Sequence, residues 1–85
     1  MRHLNRFLIV NEFDTPLVLN VEPEGAFFPL ASGAEVTVID EARIHPVTIK
    51  FGRLEGGDPV VSIWPGDGEC RVEKDGVDVL DLLQE

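Results

Sequence analysis

Cys70-Arg71-Val72-Glu73-Lys74-Asp75-Gly76-Val77 is the stretch on which the fold turns. Cys70 and Val72 alternate with Arg71 and Glu73, the period of a strand with one buried and one wet face. Asp75-Gly76 then supplies a two-residue turn whose match to strand twist needs positive φ at both positions. An antiparallel hairpin follows. The same alternation recurs outward from it. Leu17, Leu19 and Val21 oppose Asn20 and Glu22; Val36 and Val38 oppose Glu35 and Thr37; Val47, Ile49 and Phe51 oppose Thr48 and Lys50. Turn signals at Thr15-Pro16, Pro23-Glu24-Gly25, Ser32-Gly33, His45-Pro46, Glu55 to Pro59 and Pro65 to Gly68 punctuate these runs at roughly 7 to 12 residues, the rhythm of a sandwich or barrel. Val and Ile together number sixteen against four Ala and two Lys, so β-branched residues crowd out helix formers. The prediction is an all-β, compact antiparallel sandwich or barrel of about seven or eight short strands.

Eighty-five residues and 9.4 kDa make one domain, residues 1–85, whose folding buries only about 60% of the unfolded surface. A composition of 44% hydrophobic and 27% charged residues fits a folded chain rather than a disordered one. Three segments leave alternatives open. Asp40 to Ile44 reads as one helical turn capped by Asp40 or as a loop. Pro29 interrupts Ala26 to Leu30 and marks an edge or bulged strand. The tail from Val77 supports either alternation or a helical spacing through Val79, Leu80 and Leu83; a strand to about Leu82 is the expectation.

Sixteen acids against seven bases give a net charge of -9. That argues against a nucleic-acid backbone or an anionic membrane surface, both of which need Lys and Arg. Cys70 is the single cysteine, so no internal disulfide staples the fold, as in a reducing compartment. The apolar run Phe7 to Val10 falls short of the about 7 to 15 residues of an export signal and the about 20 of a spanning helix. A cytoplasmic location is the expectation.

Glu22-Pro23-Glu24-Gly25-Ala26-Phe27-Phe28-Pro29-Leu30, continuing through Gly33 into the valine-rich Val36-Thr37-Val38, resembles a segment of small uncharacterised bacterial all-β proteins: a Glu-Pro-x-Gly turn, an aromatic and a leucine, then glycine and a strand. Such strings also occur in immunoglobulin-like and cupredoxin-like sandwiches. The resemblance implies a sandwich of that kind without metal, and no activity.

Candidate chemistry is sparse. A blue-copper site wants two His, one Cys and a weak axial Met; the nitrogen ligands here are His3 and His45, no His follows Cys70, and Met1 starts the chain. Zinc fails on the same count. EF-hand loops begun at Asp58, Asp67 or Asp75 place Ile63, Val72 or Leu80 where glycine is required. Ser32 and Ser62 lie outside any nucleophile elbow, no glycine-rich turn leads into Lys and a helix, and His45 stands alone in a loop. The expectation is a non-enzyme with no cofactor.

Binding remains. Phe7-Leu8-Ile9-Val10 must turn two residues outward in either register, and Val18, Ile39, Trp64 and Leu80 fall on the nominally wet faces or at strand ends. A surplus of apolar surface points to self-association or a protein partner. Residues 55–85 hold nine acids and two bases, net -7, whereas 1–54 carry only -2. The candidate interaction surface is therefore Trp64, Asp67, Glu69, Asp58, Asp75, Asp78 and Asp81. Two functions follow as expectations: an interaction module, homo-oligomeric or a subunit of an assembly, or an acidic inhibitor or immunity-like protein holding a basic partner. A small-ligand protein or enzyme comes third.

Overall fold

Strands that alternate β-branched and polar residues bury one face each, and here they do so by facing one another in two sheets. The computed structural model describes residues 4–83. Its elements are β1 (Asn5–Val10), β2 (Leu17–Val21), β3 (Ala26–Leu30), β4 (Glu35–Asp40), β5 (Thr48–Arg53), β6 (Pro59–Trp64), β7 (Cys70–Lys74), β8 (Val77–Asp78) and α1 (Val79–Leu82). One sheet has the order β1-β4-β7-β8 and the other β3-β2-β6-β5. The all-β sandwich expected from the alternation is the observed fold. It is not wholly antiparallel, because β2 and β6 pair in parallel from Val18↔Val60 to Val21↔Ile63.

The core is the meeting of the two inward faces. Leu17, Leu19 and Val21 of β2, with Val61 and Ile63 of β6, face Val36 and Val38 of β4 and Val72 of β7. Leu19, Leu30, Val38 and Val79 are wholly buried; side chains of this size gain roughly 1.5–3 kcal/mol each from burial. Phe7, Ile9 and Phe28 pack around this centre.

Asp75 (φ 52°) and Gly76 (φ 83°) form the two-residue turn, with Lys74 opposite Val77. Pro29 sits on the edge strand β3, where its missing N–H leaves no gap in an interior ladder. Residues 41–47 are a loop. Asp40 shapes it from within: Oδ1 accepts from the Ala42 N–H at 2.9 Å and Oδ2 from the Val47 N–H at 3.0 Å.

The tail differs from the expected strand to Leu82. Pairing stops after Asp78, whose side chain caps α1 by accepting from the Leu80 N–H at 2.9 Å. The cap ends the ladder and turns the chain into the helix, with Val79 buried in the core and Leu80 packed against it. Ile39 also departs from the expected wet face, being 2% exposed. Its ladder neighbours are Arg6 and Arg71, long side chains whose aliphatic stems shield apolar surface.

Two crossings between the sheets meet at one end of the sandwich. The loop after β6, Pro65 to Glu69, lies against the loop after β4. The Asp67 carboxylate accepts from three successive backbone amides: Oδ1 from Arg43 at 2.8 Å, Oδ2 from Ile44 at 2.9 Å and from His45 at 3.1 Å. The Asp67 N–H returns a bond to the His45 carbonyl at 2.9 Å, and the Glu41 N–H donates to the Glu69 carbonyl at 2.9 Å. Gly66 and Gly68 permit this approach, since a Cβ on either would fall on the backbone of His45 or Glu41. Gly66→Ala is expected to cost about 3 kcal/mol through this overlap. Gly76→Ala meets only open space and a φ of +83°, a strain of about 1 kcal/mol. Urea-unfolding midpoints of the two variants check the order.

Candidate functional site

The structure gathers part of the acidic half, Asp67 with Glu69 in one cleft and Glu69 with Asp78 in another, and sets the rest apart. Asp58 precedes β6 and Trp64 ends it, which sets them about 20 Å apart along the strand. Asp75 occupies the tip of the β7–β8 hairpin, 3.3 Å from the Lys74 ammonium. Asp81 lies in the first turn of α1, and Asp78 caps it. Asp67 is committed to the loop junction. Glu69 and Asp78 do share one cleft, with Glu22 and Glu24 contributed by the β2–β3 turn. Trp64 is 38% exposed and outside the core; the Lys50 ammonium stands 5.2 Å from its ring centre, a cation–π distance.

Among the described residues, no group of three or more His, Cys, Asp and Glu is placed to hold a metal ion. Met1 and His3, weighed above as ligands, lie outside the described residues. His45 is exposed, engaged through its backbone by Asp67. Cys70 lines the acidic cleft, and its thiol is pushed up to about 11, first by burial and then by Asp40, Glu24 and Asp78. A thiol so placed stays protonated and unreactive near neutrality.

The edges of the sheets are where the molecule is unfinished. On one flank, β3 is interrupted by Pro29 and β8 has only two residues, both devices that blunt an edge. On the other, β1 and β5 are each six residues long and carry no proline. The Asn11 N–H bonds the Ala34 carbonyl and the Glu41 N–H bonds the Glu69 carbonyl. By the alternation of antiparallel ladders, these bonds turn Asn5, Phe7 and Ile9 toward β4. The amides and carbonyls of Arg6, Leu8 and Val10 therefore point away from the sheet.

Apolar surface collects on this same flank. Leu8 is 57% exposed and Val10 48%, the two outward residues that the Phe7 to Val10 run required. Phe51 lies on the inward face of β5, in register with Val61, as the alternation predicts. It is nevertheless 82% exposed, because β5 is the last strand of its sheet and its inner face opens onto a groove. Between β1 and β5 runs a groove of about 280 Å³ bordered by Ile9, Val10, Phe13, Phe51 and Val60. Arg6, Lys50 and Arg53 lie on the two strands, a basic flank on an acidic molecule.

Phe13 is held at the groove by a residue the sequence reading passed over. Asn11 is completely buried. Its Nδ2 donates to the Thr15 and Leu30 carbonyls, both at 2.9 Å, and its Oδ1 accepts from the Phe13 N–H at 2.9 Å. The Ser32 hydroxyl donates to the Phe13 carbonyl at 2.6 Å. An Asn at the end of an apolar run and ahead of a polar turn is the local signal for such an Asx turn, its side chain bonding the backbone two residues on.

Two measurements follow. The backbone bonds from Arg43, His45 and Ile44 hold the Asp67 carboxyl below its ordinary 3.8. A lowered folded value means that Asp67 stabilises the junction above the unfolded value and that this contribution is lost as pH falls through the folded one. Amide resonances of Arg43, Ile44 and His45 are expected to titrate together with a midpoint below 3.8, and Asp67→Asn is expected to abolish that titration. For Cys70, alkylation by iodoacetamide at pH 8 is expected to run on the order of 100-fold slower than in the urea-unfolded chain, given the smaller thiolate fraction.

Comparison with family models, curated proteins and solved structures finds no match for this chain.

Proposed function

We propose that the protein is a non-enzymatic interaction module whose working surface is the flank of β1 and β5, where it accepts a strand from a protein partner. The observation that carries this is the asymmetry of the edges: β3 and β8 are blunted by Pro29 and by shortness, whereas β1 presents free backbone groups at Arg6, Leu8 and Val10. Main-chain hydrogen bonds supply affinity in strand addition, and side chains at alternate positions supply selectivity. Leu8, Val10, Phe13 and Phe51 provide that apolar relief. No helix among the described residues is long and apolar enough to cross a membrane, and the net charge of -9 disfavours a polyanionic partner.

The other reading, an acidic inhibitor that grips a basic protein through residues 55–85, has weaker support. Asp67 and Asp78 are spent on backbone amides, and Asp58 and Asp75 stand apart from both. A displayed library of extended peptides separates the two. Binders are expected to be lost with Leu8→Lys and with Leu8→Pro, whose edge position tolerates proline, and kept with Asp58→Asn/Glu69→Gln. Circular dichroism confirms that each variant is folded. Binding that instead disappears with the acidic substitutions and survives both changes at Leu8 overturns the edge reading in favour of the acidic face.

A further inference from the structure

The edge of β1 is complementary to itself. We infer that its occupant is a second copy of this chain, paired antiparallel across a two-fold axis at Leu8 so that two four-stranded sheets become one of eight strands. This deepens the flank reading and rests on it.

The register follows from three constraints. A two-fold axis perpendicular to the sheet continues the inner face of one copy into the inner face of the other, so paired residue numbers must sum to an even value. The outward backbone groups belong to Arg6, Leu8 and Val10, so these must face one another. Centring on Leu8 then pairs Leu8 with its own symmetry mate and Arg6 with Val10 of the second copy, each exchanging both hydrogen bonds. Beneath them, Phe7 faces Ile9 of the second copy on the inner side. On the inner side, centring on Phe7 instead sets Asn5 against Ile9 and centring on Ile9 sets Phe7 against Asn11, each mismatching polar with apolar where the Leu8 register pairs Phe7 with Ile9.

Charge selects the same register. Val10 lies opposite Glu35 in the ladder with β4, and both are exposed on the outer face. Arg6 of one copy therefore reaches over Val10 of the other to Glu35 beside it. Neither Arg6 nor Glu35 has an ion-pair partner among the described residues.

Sedimentation equilibrium and directed cross-linking test this. The wild-type chain is expected to be dimeric at high micromolar concentration and Leu8→Lys monomeric. Reversal at Arg6→Glu is expected to weaken the dimer about tenfold, since the contact occurs twice, and Glu35→Arg in the same chain is expected to restore it. In a Cys70→Ser background, Leu8→Cys is expected to form a disulfide-linked dimer, because Cα atoms of a hydrogen-bonded pair lie about 5.5 Å apart. Arg6→Cys alone is expected to form none. A monomeric wild type that still binds displayed peptides through Leu8 overturns the dimer and leaves the flank reading standing. A dimer indifferent to Leu8→Lys overturns both, and a dimer that cross-links through position 6 alone overturns the register.

Discussion

Both passages of the chain from one sheet to the other at the Asp67 end depend on a single carboxylate. β4 leads into β5 and β6 into β7 through loops that would otherwise splay, because neither contains a strand or helix to satisfy its backbone. Asp67 gathers three amides of the first loop from its seat in the second, and Asp40 gathers two more from below. Glycines on both sides of Asp67 bring the loops into backbone contact. Were the carboxylate moved or the glycines given side chains, the two loops would lose the contact that joins them.

This junction gives part of the most acidic stretch of the chain a structural role. In the sequence, Asp67, Asp75 and Asp78 are charges in a crowded segment. In the fold they are a loop clamp, a turn former with positive φ and a helix cap. Asp78 accepts from an amide two residues on, whereas Asp67 accepts from amides 22 to 24 residues away. Around them, Glu22, Glu24 and Glu69 line one cleft with Asp78.

Local chemistry was readable and relations between distant strands were not. Asp75-Gly76 dictates its hairpin from two residues, and Pro29 announces an edge from one. Alternation placed Leu17, Leu19, Val36, Val38 and Val72 in the core. It assigned Phe51 to the right face, yet could not tell that β5 ends its sheet, and without strand order an inward residue and a buried one look alike. Ile39 fails the other way, covered although it points outward, because Arg6 and Arg71 come from other strands to flank it. The parallel pairing of β2 with β6 joins segments about forty residues apart and leaves no mark on either. The flank itself was half legible: the run Phe7 to Val10 required outward apolar residues, but only the sheet orders show that they share a side with Phe51.

The blunted edge has a consequence for growth. Strand addition at both flanks of a sandwich would let each new copy offer a fresh edge to the next, and assembly would run on into a fibre. Here Pro29 and the two-residue β8 close one side, so a copy docked through β1 turns only its closed flank outward. A sheet extended through β1 would stop after one addition. An exposed apolar strand is ordinarily an aggregation hazard; in the proposed dimer this geometry would limit stoichiometry without a cap from elsewhere.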